Sequence, residues 1–199
     1  MSLGAILAEM ETARRHATYE DLLALPEGTR AEVLSGEIVM APAPLPRHGW
    51  VVRTVGRFVG GPFADDEVPG GWWILPEVDV ALSEHDIVRP DLSGWRRENL
   101  TDPWDRRPID VRPDWVCEVL SPSNARHDRV TKSTPYAAHE VPFYWLVDPF
   151  ERTLEVLRLE AGRWVLAGSW AGPDVVRAPP FEAVEIDLGR VFPPEPAAT

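Results

Sequence analysis

The stretch Trp115-Val116-Cys117-Glu118-Val119-Leu120 decides how this chain is read. It is compact and almost continuously apolar, and Ser121-Pro122-Ser123-Asn124 closes it, so it reads as a buried strand. Alternation puts Val116 and Leu120 on the face of Glu118, and Cys117 and Val119 on the other. Neither face looks wet. A carboxylate in such a strand must be paired, protonated or bound to a metal, because burying a bare charge is costly. The blander alternative is a glutamate at an exposed strand end, or one satisfied by an arginine. The chain's single cysteine, Cys117, has apolar neighbours and reads as an inert buried thiol.

Working outward toward the N-terminus, Ile87-Val88-Arg89-Pro90-Asp91-Leu92 reads as a strand ending on a second carboxylate. Pro-Asp alone is a common turn dipeptide. Its order matters here: a Pro-Asp closes a hairpin, and a glutamate in a buried strand follows later. Two carboxylates on neighbouring strands can share one oxygen-preferring divalent ion, most simply Mg²⁺, leaving positions for water and a phosphate oxygen.

The rest of the chain punctuates as α/β. Thr18 caps a short helix that Pro26 and Gly28 end, and Ser35-Gly36 joins residues 31–34 to 37–41 as a hairpin. Val51, Val52, Val55, Phe58 and Val59 recur at helical spacing over residues 48–59. Residues 72–82 and 87–92 are expected to pair as one hairpin, and residues 96–113 to form a long loop. A helix covers part of 127–139, and a strand follows over 143–147. Ala161-Gly162 then turns a hairpin between 153–159 and 163–170, and 181–188 adds a last strand. The division expected is an N-terminal arm or helix over 1–17, one domain over 18–190, and a Pro/Ala-rich tail over 191–199.

With 199 residues and 44% hydrophobic content, the chain is sized for one core. No apolar run is long enough to cross a bilayer, and charged residues interrupt the N-terminus, so neither a membrane span nor a signal peptide is read and the cytoplasm is the expected compartment. The net charge of −12 opposes nucleic-acid binding by repelling phosphate. Residues 89–132 are the exception, with nine Lys or Arg against eight Asp or Glu.

Several segments together resemble one family. Thr18-Tyr19-Glu20-Asp21-Leu22, residues 31–39 (Ala-Glu-Val-Leu-Ser-Gly-Glu-Ile-Val), Pro90-Asp91-Leu92, Glu118-Val119-Leu120-Ser121-Pro122-Ser123 and Tyr144-Trp145-Leu146-Val147-Asp148-Pro149 resemble, in order, the Uma-type branch of the PD-(D/E)xK nuclease superfamily. The resemblance implies an α/β, restriction-endonuclease-like fold: a central mixed β-sheet flanked by helices, with additional β-hairpins. It also implies Mg²⁺-dependent hydrolysis of a nucleic-acid phosphodiester, more readily DNA, with Mn²⁺ as a possible substitute.

By the same resemblance Asp91 and Glu118 are the acidic pair that holds the metal, and Glu32 supports it. The general motif puts a lysine two residues after the acid, where this chain has Leu120. The branch often carries that lysine on the following helix instead, and Lys132 matches the position; it is also the only lysine. Its replacement is expected to lower turnover with little change in melting temperature. Asp79 is a weaker candidate for a further metal ligand. His48 is read as a residue that opens a helix, and the other histidines show no ligand spacing. Trp72-Trp73 could stack bases but reads as core. A catalytically inactive, nuclease-fold binding protein is the competing reading, favoured by Leu120 and the acidic charge. A homodimer is expected, because Trp164 and Trp170 on the C-terminal hairpin need covering and cutting both strands of a duplex suits two symmetric sites.

Overall fold

In the computed structural model, residues 16–65, 71–122 and 127–194 are described. Most of the expected N-terminal arm, the tail beyond residue 194 and Ser123-Asn124 lie outside them.

Local signals start the fold. The Thr18 backbone N–H donates to the Asp21 carboxylate at 2.9 Å, capping α1 (Tyr19–Leu23). Ser35 and Gly36, both at positive φ, turn β1 (Ala31–Leu34) into β2 (Glu37–Met40). Helix α2 (Pro46–Gly60) opens on a proline, which suits a position with no intrahelical N–H bond to make, and it buries Val51, Val55 and Val59 along one stripe.

The chain continues through β3 (Trp72–Pro76), β4 (Val80–Ser83), β5 (Asp86–Val88), β6 (Leu92–Arg96) and β7 (Trp115–Val119). A π-helical turn, His127–Lys132, runs into α3 (Ser133–Ala138). Then come β8 (Phe143–Asp148), β9 (Thr153–Glu160), β10 (Arg163–Ala171), β11 (Val175–Val176), β12 (Ile186–Asp187) and α4 (Leu188–Val191). Six strands form the central sheet in the order β10-β9-β8-β7-β6-β3, with β7 and β8 parallel and the other pairs antiparallel. An antiparallel sheet β2-β1-β5-β4 stands beside it, and β11 pairs with β12. The fold is therefore α/β with a central mixed sheet and extra hairpins.

Strand β7 divides the core as its alternation requires. Trp115, Cys117 and Val119 pack with the α2 stripe and Phe181 on one side, whereas Val116 and Leu120 pack with Tyr136 and Tyr144 on the other. Cys117 is fully buried, which pushes its thiol well above the ordinary value.

Four expectations are corrected. Residues 72–82 are two strands in different sheets: β3 pairs with β6, and β4 pairs with β5. The chain changes sheet at Glu77, whose φ of 48° breaks the extended run. Strand β6 lies where turn-like Ser93 and Gly94 obscured it; a Cβ at Gly94 would crowd the Trp115 ring at 3.0 Å, so a small residue suits the position. Only Ile186–Asp187 of the expected last strand pairs. Trp164 and Trp170 are covered within the chain: Trp164 packs on Tyr144 and donates to the Ser133 carbonyl, and Trp170 lies against the core. Trp72 is core, 3% exposed, against Phe181. No helix among the described residues is long and apolar enough to cross a membrane.

Candidate active site

The sheets and helices converge on one narrow pocket, with about 50 Å³ of space for water-sized molecules. Glu32 enters it from β1, Asp91 from the turn before β6, Glu118 from β7, and Asp128 and Lys132 from the π-helical turn; His48 enters from the first turn of α2. All six side chains are buried.

Lys132 is the hub. Its Nζ lies 3.0 Å from Glu32 Oε2, 3.0 Å from Glu118 Oε1 and 3.8 Å from Asp128 Oδ1. The π-helical turn continues without a break into α3, and where Pro135 has no N–H to give, the Val130 carbonyl accepts from the Ser133 and Thr134 hydroxyls, so Lys132 is held on a helix. Asp128, Lys132 and Tyr136 follow at intervals of four and share one face.

Glu118 and Asp91 each have one oxygen anchored by the protein, and Glu32 has both engaged. Glu118 Oε1 accepts from Lys132 and, at 2.7 Å, from the Tyr136 hydroxyl. Asp91 Oδ2 accepts from the Val119 backbone N–H at 2.7 Å and lies 3.1 Å from His48 Nε2. Facing that carboxylate, His48 Nε2 is the donor, and among the described residues its buried Nδ1 has no partner. Glu32 Oε1 accepts from the Arg89 backbone N–H at 2.6 Å.

Four carboxylates around one ammonium leave the pocket short of positive charge. Burial pushes Glu118 well above the usual carboxylate range, and Asp128, Asp91 and Glu32 push the same way against Lys132. Burial, followed by the pull of Lys132 and the push of Asp91 and Glu32, leaves Asp128 raised to about 7. Burial acts to lower Lys132, but Glu118, Glu32, Asp128 and Asp91 overcome it and hold the ammonium well above the ordinary lysine value. Lys132 is therefore charged, and the cluster around it retains affinity for further cations.

The donor set is oxygen-rich and contains no thiol, so it suits Mg²⁺ or Mn²⁺ rather than zinc. Among the described residues no three His, Cys, Asp or Glu already converge as a metal cage. Lys132 stands between two of the acids instead.

The pocket thus gathers Glu32, Asp91, Glu118 and Lys132, and not Asp79. Asp79 is engaged elsewhere, by Arg89 at 2.6 Å and the Tyr19 hydroxyl at 3.0 Å, and does not line this cavity. Sequence reasoning missed three participants. The i, i+4, i+8 spacing of Asp128, Lys132 and Tyr136 was the available signal for two of them, whereas nothing local distinguishes His48. The expectation that Lys132→Ala leaves the melting temperature little changed is also corrected, because the side chain is buried between opposite charges.

Comparison with known proteins follows the same lines. No curated protein matches the chain. A crystal structure described as a putative nuclease belonging to DUF820, from Anabaena variabilis, superposes with a TM-score of 0.70, covering 88% of this chain and 97% of that one at 22% identity. At that identity the likeness is one of fold. A family described as "Putative restriction endonuclease" matches residues 17–189, nearly the whole of the described structure. The chain belongs to this family, Uma2.

Proposed function

We propose that the protein is a metal-dependent endonuclease that hydrolyses nucleic-acid phosphodiester bonds, DNA in preference to RNA. The observation that carries the reading is Lys132 Nζ at 3.0 Å from both Glu32 and Glu118 in a buried pocket that Asp91 and Asp128 also line. The preference for DNA follows the family's description as restriction endonucleases.

Asp91 and Glu118 would hold Mg²⁺, with Mn²⁺ as a substitute, through oxygens other than those the protein already anchors. When bound, such an ion polarises a phosphate oxygen and acidifies a nearby water. The chain's own residues do the rest. The Val119 N–H and His48 fix the Asp91 carboxylate, and Tyr136 fixes that of Glu118, so the acids need not reorganise as charge develops. Lys132 presents a compact ammonium that orients the attacking water or meets the charge growing on phosphorus. Glu32 also holds that ammonium in place, at 3.0 Å. Asp79 has no part in this arrangement.

One observation favours the competing reading of a nuclease fold without catalysis: Lys132 itself neutralises two of the acids that would otherwise attract the ion. Two measurements separate the readings. Incubation of assorted DNA and RNA with Mn²⁺, and with EDTA, should give cleavage only with the metal. Mn²⁺ should also raise the melting temperature of the wild type, since an ion that binds only the folded state stabilises it. Glu118→Gln and Asp91→Asn should lose cleavage and most of that shift while remaining folded. If both variants cut at the wild-type rate, the acidic pair is not the catalytic site.

A further inference from the structure

Helix α2 presents a second set of side chains, away from the pocket that His48 enters. Trp50, Arg53 and Arg57 line a groove of about 550 Å³, far larger than the candidate active site, and Arg190 of α4 borders it as well. Phe58, Val184 and Phe192 give it an apolar floor.

Many of the described arginines pair with carboxylates, and those here do not. Arg30 pairs with Glu77, Arg89 with Asp79, Arg106 with Asp110, and Arg129 with Glu155. Arg53 and Arg190, like Arg47, Arg96 and Arg97 elsewhere, instead lie over aromatic rings, Arg53 at 4.8 Å from Trp50 and Arg190 at 5.9 Å from Phe58. Among the described residues, neither these two nor Arg57 has a carboxylate partner. The acid on the groove wall, Glu185, is taken by Arg177 at 3.2 Å. In a chain with 32 Asp and Glu against 20 Lys and Arg, three unpaired guanidiniums around one groove form a local exception to the acidic surface.

Guanidiniums without acids favour an anion, and more than one of them along a helix favours a repeating anion. The floor adds a second requirement, since it offers flat apolar surface and an exposed indole rather than hydrogen-bonding groups; Trp50 is 40% exposed. A duplex keeps its base faces stacked inside and cannot use such a floor. A single strand brings phosphates and base faces to the protein together.

We infer that this groove binds single-stranded nucleic acid, with phosphates on Arg53, Arg57 and Arg190 and bases against Trp50 and the apolar floor. The inference rests on the nuclease reading, because α2 then joins a strand-holding groove to the site of cleavage: His48 and Arg57 lie on one helix, roughly 14 Å apart along its axis.

The test is binding, measured in EDTA so that turnover plays no part. Fluorescence anisotropy of a labelled oligothymidylate of about 15 nucleotides is compared with that of its duplex. The wild type should bind the single strand more tightly. Arg57→Ala and Arg190→Ala should each weaken binding about tenfold and reduce the slope of log affinity against log salt by about 0.7. Trp50→Ala should weaken it as well. Arg163→Ala, which removes the same charge at the start of β10, should change affinity less than twofold. Equal losses from Arg163→Ala and the groove variants, tighter binding of the duplex, or no binding by the wild type would each overturn the inference. So would groove variants that alter the mass seen by light scattering and not the anisotropy, which would assign the groove to a second copy of the chain. Binding that maps to the groove without any Mn²⁺-dependent cleavage would refute the nuclease reading alone, whereas cleavage with groove variants that bind normally would refute the groove alone.

Discussion

Lys132 carries two loads at once, and they separate by substitution. Its removal leaves Glu32 and Glu118 facing each other in a buried pocket, so Lys132→Ala should cost about 3–5 kcal/mol of stability. Lys132→Arg keeps the charge and should melt close to the wild type, yet turnover should fall almost as far as in the alanine variant, because a planar guanidinium cannot replace a compact donor. Full activity in Lys132→Arg would mean that charge alone is needed. Asp128 supplies a signal in pH. Its folded carboxyl titrates at about 7, whereas an unfolded aspartate titrates near 4. The folded state therefore holds this proton more tightly, and the resulting stability is complete below about pH 4 and lost as pH rises through about 7. In EDTA, melting temperatures taken between about pH 5 and pH 8 should fall in the wild type and stay flatter in Asp128→Asn. Identical slopes would assign the effect to another group.

Strand β7 sets the element-scale limits. Leu120 occupies the position where the general nuclease motif has its lysine, and restoring that lysine looks like a repair. The structure argues otherwise: Leu120 is 1% exposed and belongs to the cluster of Val116, Tyr136 and Tyr144, on the face where Glu118 also lies. Leu120→Lys should destabilise the fold by about 3 kcal/mol or more, through a lost apolar contact and a second buried ammonium, without raising cleavage. Denaturant melts measure the first effect and the Mn²⁺ assay the second. A stable and more active Leu120→Lys would show that the lysine on the following helix is a poor substitute. The strand itself was legible because both its faces are apolar. The neighbouring β6 was not, since Ser93 and Gly94 look like turn residues until the Trp115 and Trp72 rings that would crowd a Cβ are seen.

At the scale of the molecule, the central sheet ends at β10, which pairs with β9 and among the described residues has no strand on its outer side. Arg163 is the sole charge in its nine residues, and Val165 and Leu166 are exposed, 39% and 59%. A long edge with so little charge lacks the usual protection against pairing with another edge, although a bulge near Leu166 and Gly168 interrupts it. The expected homodimer is thus proposed on a different ground from the two tryptophans, which the chain covers itself. Light scattering should give about twice the chain's 22.3 kDa, and Ala167→Pro on the edge should return it to one chain. A mass of one chain at every concentration would refute the pairing.

Local chemistry in the sequence determined a good deal by itself: the cap at Thr18, the turns at Ser35-Gly36 and Ala161-Gly162, the apolar stripe of α2, and the burial of Glu118, which follows from alternation within one strand. Those features depend on residues a few positions apart. It also carried the resemblance that named Glu32, Asp91 and Lys132. Only the tertiary structure decided where those side chains meet, because their partners come from elements separated by tens of residues. His48 reaches Asp91 from another helix, and Asp79 is drawn away by Arg89 and Tyr19. The division of residues 72–82 between two sheets was also decided there, since apolar residues recur on both sides of Glu77 and only long-range pairing tells the two strands apart.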